Sequence, residues 1–440
     1  MLSSIPLGED ELPGNKKLAE ELSHLGEIGS LLNPSEDEID ELKAAAASCS
    51  DDLFAATAKT KLESAAAICE KLSRRFTCTV ANPPYMGSSS FNPFMSKWVK
   101  KNYPDVKSDL CTCFIERGFN LAKDRGYSAM VTMASWMFLS SFEAMRRRVL
   151  DSKSIVSMCY MGHMVMRIAF NTSATVFANC RTNSLGSYCR IEAKDLDAAG
   201  NPVSFSAGET EFYRRDAETF KQIPGTPIAY WLSEKYGHMF ELGTMKSAYV
   251  SGGRLKTHDN EKYVRNWWEV PASLIGRLWM PLSNGGGFSR WSGMKYDVVN
   301  WSDEANDFYD QHGGLPKSGS IERKGICWGL ITSGRCSFRV KDQGELFTSG
   351  APTVFMSNQD SERALSIDLA FLNSSIASEL LDAINPTLNT TVGDVLSLPM
   401  PPSSALDTEV VDYADQSVSI ADADWDSFET SWDFKRHPLL

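Results

Sequence analysis

At 440 residues, with 42% hydrophobic and 23% charged side chains, the chain has the composition of an ordinary soluble protein and the length for two or three domains that each bury a core. Its net charge of −12, from 44 Lys plus Arg against 56 Asp plus Glu, argues against holding nucleic acid by bulk charge, although a local basic cleft on an acidic protein stays open. No run of about 18 uncharged apolar residues predicts a membrane span, the N-terminus lacks the basic and apolar regions of a signal peptide, and the ten cysteines show no paired C-x-x-C spacing, so reduced thiols in a cytoplasm are the default and no membrane partner is expected.

Taken in order, residues 1–15 read as loop, and residues 16–33, with Leu18, Leu22, Leu25 and Ile28, as one amphipathic helix. Ser35 to Glu38 forms a capping box that opens a second helix through about Ser48. A third, alanine-rich helix over 51–74 ends in Lys71, Arg74 and Arg75, charges that suit a helix C-terminus. Residues 1–75 are therefore a helical lead-in. The apolar run from Phe76 then starts a strand that stops at Asn82-Pro83-Pro84-Tyr85. Two prolines lack backbone N–H groups and fix φ, so the chain leaves the sheet as a stiff extended loop. A serine- and glycine-rich mobile loop follows at 86–92, then a segment with Lys97, Lys100 and Lys101, and a helix over 109–123. On that helix Cys111 and Cys113 point to different faces and make a poor metal pair, and no metal site is expected. Residues 128–133 predict a strand, Ser140 to Glu143 a second capping box before a helix carrying Arg146, Arg147 and Arg148, and 155–160 and 172–178 two further strands. This alternation implies a doubly wound, mainly parallel sheet. From about Ala199 glycine, proline and tryptophan become frequent and the alternation stops, which places a boundary near 200–230. Residues 250–350 read as a β-rich module with glycine-shaped surface loops, and 361–385 return to helical spacing. Ser403 to Asp433 is strongly acidic and reads as a tail.

The chemistry sits at the proline-stiffened loop, just beyond the carboxyl end of a strand, where open α/β sheets place ligands. Asn82 offers a side-chain carbonyl, Pro83 a backbone carbonyl, and Tyr85 a flat ring. Two acceptors can grip both hydrogens of an exocyclic amine, and the ring can stack on a base taken out of its helix. Asn82-Pro83-Pro84-Tyr85 resembles the catalytic motif of amino-group methyltransferases, above all the adenine-N6 DNA enzymes. Further segments are similar to the PglX-type adenine methyltransferases of bacteriophage-exclusion systems and to type IIG restriction-modification enzymes. These are residues 25–32, 126–139 with Ser135-Trp136-Met137-Phe138, 255–260 with Arg265-Asn266-Trp267-Trp268, 331–334, 372–374 and 385–389.

The resemblance implies an α/β fold in which a partial doubly wound methyltransferase sheet is followed by a mixed α+β target recognition domain. It implies a helical lead-in at 1–75, the catalytic half of the methyltransferase domain at 76–200, recognition of double-stranded DNA at 201–400 and an acidic tail at 401–440. S-adenosylmethionine is the implied cofactor, with Asn82, Pro83, Pro84 and Tyr85 as the catalytic residues. The family's glycine-rich cofactor turn follows a strand, whereas upstream of Asn82 the glycines are Gly8, Gly14, Gly26 and Gly29, none after a credible strand. The expectation is that the first half of the fold is missing, that the chain alone binds the cofactor weakly or not at all, and that an N-terminal methyltransferase fragment or other defence-system proteins partner it.

For DNA, Lys256, Asn260, Lys262 and Arg265, interleaved with Tyr263, Trp267 and Trp268, form the best cluster, since Asn can read adenine and Arg can read guanine or clamp phosphate. A solvated loop over a tryptophan-rich core explains the same residues equally well. Ser333, Arg335 and Arg339 form a weaker second patch, and the lysines at 97–101 with the arginines at 146–148 either line a DNA channel or are surface charge. Asp109 either approaches the pocket or balances a helix dipole, and His163 reads as a loop histidine. Two other functions remain open on sequence grounds: a non-catalytic DNA-binding or defence-complex protein, and a protein-glutamine methyltransferase, a family that shares Asn-Pro-Pro-Tyr.

Overall fold

The computed structural model describes residues 3–8, 11–12, 14–49, 53–203, 212–332, 334–357, 362–401, 408–437 and 439. Ser333, Ser403 to Asp407, and the first residues expected of the helices over 51–74 and 361–385 lie outside that part. The chain divides into two compact units, one of residues 1–221 with 225–231 and one of 222–224 with 232–440.

The first unit is built on a six-stranded sheet with the order β1 (Phe76–Ala81), β2 (Ala122–Met133), β4 (Thr172–Ala178), β3 (Ser154–Met161), β5 (Gly186–Ile191), β6 (Phe212–Arg215). β1 runs parallel to β2 and β3 parallel to β5, while β4 is antiparallel to both its neighbours and β6 to β5. The expected α/β sheet is present, but it is mixed rather than mainly parallel. The reason is local: the 162–171 connection is too short for a parallel crossover, so β4 turns back between β2 and β3. One face of the sheet, with Met130, Phe177, Ile155, Met158, Tyr160 and Tyr188, is buried in the main core.

Helices Glu36–Ser48 and Leu53–Ser73 form as the periodicity predicts, and Ser35 and Glu38 make the reciprocal capping box. The single helix expected over 16–33 is broken into Lys16–Ser23 and Leu25–Ile28 with a short 3-10 turn after them, because His24 leaves helical geometry and Gly29 takes φ +56°. Arg117, almost fully buried on the helix Leu110–Leu121, fastens this lead-in to the sheet layer: it donates to the carbonyls of Ser30 at 2.8 Å and Leu72 at 2.5 Å and to Asn33 Oδ1 at 2.5 Å. The second capping box does not form. Ser140–Phe142 is a 3-10 turn, and the helix Glu143–Ser152 starts without a side-chain cap.

The second unit holds two four-stranded sheets. One has the order β13 (Leu346–Phe347), β9 (Trp279–Ser283), β10 (Asp297–Asn300), β8 (Val264–Asn266), and the other the order β12 (Phe338–Lys341), β11 (Gly325–Trp328), β14 (Thr353–Met356), β7 (Tyr249–Ser251). Gly285, expected on a surface loop, sits at φ +81° with the Gly350 carbonyl where a Cβ would come within 2.0 Å, so this turn is a packing element as well. The helix expected over 361–385 is two helices, Glu362–Leu372 and Ser375–Ile384, because Ser374 restarts the chain as an N-cap for Ala377. The acidic stretch is not a solvated tail. Thr408–Trp425 is a helix whose Asp415 accepts from Ser366 Oγ and whose Trp425 meets Tyr296 edge to face at 4.7 Å. No single helix among the described residues is long and apolar enough to cross a membrane.

The second unit carries a buried acid that makes its stability depend on pH. Burial pushes the Asp368 carboxyl up to about 6, and the hydrogen bond from Tyr249 Oη at 2.6 Å offsets this only in part. A carboxyl raised in the folded state stabilises it fully below the ordinary value of about 4, and that contribution is lost as pH rises through about 6. Asp368→Asn keeps an acceptor for Tyr249 and removes the charge. We expect it to raise stability near pH 7 by roughly 1–3 kcal/mol relative to its effect at pH 4, measured by thermal unfolding across that range; an equal effect at both pH values would contradict the assignment.

Candidate functional site

β1 ends at Ala81, and Asn82 to Tyr85 leave its carboxyl end as the sequence requires. Pro83 is buried while Asn82 and Pro84 are exposed, so the turn is anchored at its middle and presents the asparagine. Tyr85 is half-buried. Its hydroxyl lies 2.9 Å from Asn82 Oδ1 and 3.3 Å from the Val131 carbonyl on the neighbouring strand, and its single proton is held by the nearer acceptor. The Asn82 carbonyl is thus oriented by Tyr85, and its second lone pair is left to accept a hydrogen bond from a substrate amine.

The serine-glycine loop that follows is tied down rather than free: Ser88 N–H donates to the Ser108 carbonyl and Leu110 N–H to the Met86 carbonyl, both at 2.9 Å. Asp109 closes this contact as a helix N-cap, accepting from Cys111 N–H at 2.9 Å, and it is buried. That is the helix-end role. His163 lies in an exposed turn.

A residue that sequence reading missed stands beside Tyr85. Phe170, 38% exposed, meets the tyrosine ring edge to face at 5.6 Å. The Ala134 N–H holds its neighbour Asn171 through the main-chain carbonyl at 2.9 Å, which fixes the segment entering β4. Nothing in the sequence near Phe170 marks it, since only the return of β4 beside β2 brings it to the loop. Two aromatic rings and a side-chain carbonyl therefore meet at the carboxyl ends of β1 and β2, a set that can stack on a flat heterocycle and accept from its amino group.

Of the arginines at 146–148, the first neither lines a channel nor is surface charge. Arg146 is fully buried and donates to the carbonyls of Trp136, Leu139, Gly225 and Thr226 at 2.7–3.1 Å, and burial lowers its guanidinium to about 10. Arg147 pairs with Glu143, and Arg148 with Asp105 and Glu116. Lys97, Lys100 and Lys101 are exposed.

In the second unit Lys256 and Asn260 border a polar hollow of about 560 Å³, together with Thr257, His258, Asn284 and Thr348. Lys256, Asn260, Lys262 and Arg335 are exposed. Lys262 extends over the Tyr263 ring, 4.7 Å from its centroid. Arg265 is half-buried, and its Nη1 donates to the Glu261 and Val264 carbonyls at 2.5 and 2.6 Å. Trp267 donates from Nε1 to the Thr430 carbonyl at 2.8 Å and serves packing, while its neighbour Trp268 is 49% exposed. The adjacent tryptophans lie in a 3-10 turn, Trp267–Glu269, not in a strand. Arg339 is buried on β12 and is not part of a surface patch.

Residues 17–165, which contain the Asn82 loop, match the family described as Eco57I restriction-modification methylase. Over most of its length the chain is a homologue of adenine-specific methyltransferases. It is 32% identical over 399 residues to "Adenine-specific methyltransferase PglX" of Lacticaseibacillus casei (strain Zhang), covering 84% of this chain and 33% of that protein. It is 31% identical over 380 residues to "Adenine-specific methyltransferase BrxX" of Escherichia coli O9:H4 (strain HS), covering 84% of this chain and 31% of that protein. The chain thus spans about a third of the length of the relatives it matches. Among solved structures, the type IIL restriction-modification enzyme MmeI in complex with DNA aligns with a TM-score of 0.48 at 11% identity, covering 81% of this chain and 50% of that one.

Methylases of this kind imply the use of S-adenosylmethionine. The described residues do not fit it. β1 is the first strand of the described chain, so no turn between a strand and a helix precedes Asn82 to cradle the nucleoside, and Gly26 and Gly29 lie within the broken helices of the lead-in.

Burial raises the Tyr85 phenol above its ordinary value near 10. Phe170→Ala opens one side of the ring to water, and we expect the phenol to titrate lower, by a few tenths to about one pH unit, as followed by NMR of the tyrosine ring carbons. An unchanged titration would show that Phe170 does not shield this ring.

Proposed function

We propose that this chain supplies the acceptor side of an adenine-N6 DNA methyltransferase of the restriction-modification and phage-defence kind. The observation that carries the reading is the Asn82–Tyr85 loop at the carboxyl end of β1, with its oriented side-chain carbonyl and the paired rings of Tyr85 and Phe170. It is supported by the methylase family match over the same residues and by homology to two adenine-specific methyltransferases.

In this reading an adenine is turned out of double-stranded DNA and stacks against Tyr85, with Phe170 beside it. The N6 amino group donates one hydrogen to the second lone pair of Asn82 Oδ1 and the other to the Pro83 carbonyl. Holding both hydrogens draws the nitrogen lone pair out of conjugation with the ring and aims it as a nucleophile. No general base is required if the proton leaves after the new bond forms, so the residues act by positioning and electrostatics. The methyl donor is S-adenosylmethionine in this reading, and no transfer step is assigned to the described residues on the donor side. The second unit is read as the target recognition domain, with Lys256, Asn260, Lys262 and Arg335 as its exposed DNA contacts and Trp268 the stacking residue in place of Trp267. Arg265 plays a lesser part, since its guanidinium already serves two backbone carbonyls.

The test is to graft this chain in place of the matched part of the Lacticaseibacillus casei relative and measure N6-methyladenine in DNA by mass spectrometry. Asn82→Ala in the graft should reduce methylation by about 100-fold or more, with binding of DNA retained. Methylation that survives Asn82→Ala, or that appears on a protein glutamine instead of DNA, would overturn the reading.

A further inference from the structure

In the second unit a glycine turn and a short ribbon display large apolar side chains that the core does not take up. Gly285, Gly286 and Gly287 run at φ +81°, +80° and +60°, and the residue after them, Phe288, is 63% exposed. In the ribbon Ile331 pairs with Asn389, Thr332 N–H donates to the Leu388 carbonyl at 3.0 Å, and Thr390 N–H donates to the Leu330 carbonyl at 2.9 Å. Ile331 is 67% and Leu388 63% exposed. Ribbon and turn adjoin at Gly329, where a Cβ would lie 3.8 Å from the Gly286 nitrogen and 3.9 Å from the Gly287 carbonyl oxygen. Single exposed apolar residues are ordinary, but three on adjoining loops mark a contact surface.

The shape and the charge around these side chains select the partner. Successive residues of an extended ribbon point to opposite faces, and Leu388 lies across from Thr332 while Ile331 lies across from Asn389, so Ile331 and Leu388 stand on opposite sides. A flat partner covers one and leaves the other in water, whereas insertion into a stack of bases covers both. The surroundings are cationic. The Arg290 guanidinium lies over the Phe288 ring at 5.5 Å from its centroid, and the exposed Arg335 follows the ribbon. Asn284, which opens the glycine turn, borders the polar hollow that holds Lys256 and is lined by no carboxylate. Asp394, the acid that follows the ribbon, already accepts from Asn385 Nδ2, Thr391 Oγ1 and Thr391 N–H.

We infer that Phe288, Ile331 and Leu388 form an apolar wedge that enters between base pairs of duplex DNA and unstacks one step, while Lys256, Arg290 and Arg335 hold the phosphates on either side. The inference rests on the reading of the second unit as a DNA-binding domain and adds to it the side chains that deform the duplex. Leaving large apolar side chains in water is unfavourable in the free protein, and their burial between bases offsets part of the cost of unstacking. The wedge carries no sequence readout of its own, since apolar side chains meet the faces of any base pair.

The test takes the full 440-residue chain and two duplexes of one sequence, one intact and one with a single abasic site where stacking is already broken, and reads binding by fluorescence anisotropy. The unaltered chain should bind the abasic duplex tighter by about tenfold or more. The triple variant Phe288→Ser, Ile331→Ser and Leu388→Ser changes exposed side chains, so it should melt with the unaltered chain and bind both duplexes equally. Phe288→Ser alone should cut the preference by about threefold, and Phe288→Trp should keep it, because a large ring still fills the gap. The inference is overturned if the triple variant keeps the preference, as it would if these side chains served a protein partner, or if Tyr85→Ala with Phe170→Ala removes the preference and the triple variant does not. Equal binding of both duplexes by the unaltered chain overturns this inference alone, whereas binding of neither overturns the reading of the second unit with it.

Discussion

The parallel pairing of β1 with β2 is the constraint on which the rest of the first unit depends. It places Ala81 beside Met130, which brings the Val131 carbonyl within reach of Tyr85 and fixes the direction in which the proline-stiffened loop leaves the sheet. On the far side of β2 the antiparallel pairing with β4 places Phe170 beside Tyr85. The pairing of β1 with β2 leaves the opposite edge of β1 open. One six-residue strand thus carries the candidate acceptor loop and forms an edge of the sheet.

What the sequence revealed was what acts locally. Prolines restrict their own backbone whatever surrounds them, so the loop at Asn82 was legible as a stiff exit from a strand. The capping box at Ser35 was legible for the same reason, because both of its hydrogen bonds close within four residues. The apparent box at Ser140 failed because a 3-10 turn with its own main-chain hydrogen bonds occupies that start. Long-range partners were not legible. Arg146 reads as surface charge next to two other arginines, yet its acceptors include the Gly225 and Thr226 carbonyls far along the chain. The acidic C-terminal stretch read as a tail because its composition is polar, but it is a helix whose contacts with Ser366 and Tyr296 come from residues distant in sequence.

The site divides in the same way. Asn82 and Tyr85 are three positions apart, and a motif can encode their hydrogen bond. Phe170 reaches them only through the order of strands in the sheet. In the second unit, Arg265 and Trp267 have the residue types expected of a DNA contact, but Nη1 of Arg265 and Nε1 of Trp267 already donate to the protein's own carbonyls. Residue type proposes a role, and the hydrogen-bonding already satisfied in the fold decides how much of it is left for a ligand.

The central claim is that Tyr85 and Phe170 receive a base taken out of DNA. The most direct measurement is the emission of 2-aminopurine placed in a mismatched duplex, where extrusion costs little. The account predicts that the unaltered chain changes that emission on binding, and that the double variant Tyr85→Ala with Phe170→Ala binds the duplex but leaves the emission as it is in free DNA. The same change in emission with both proteins would contradict it.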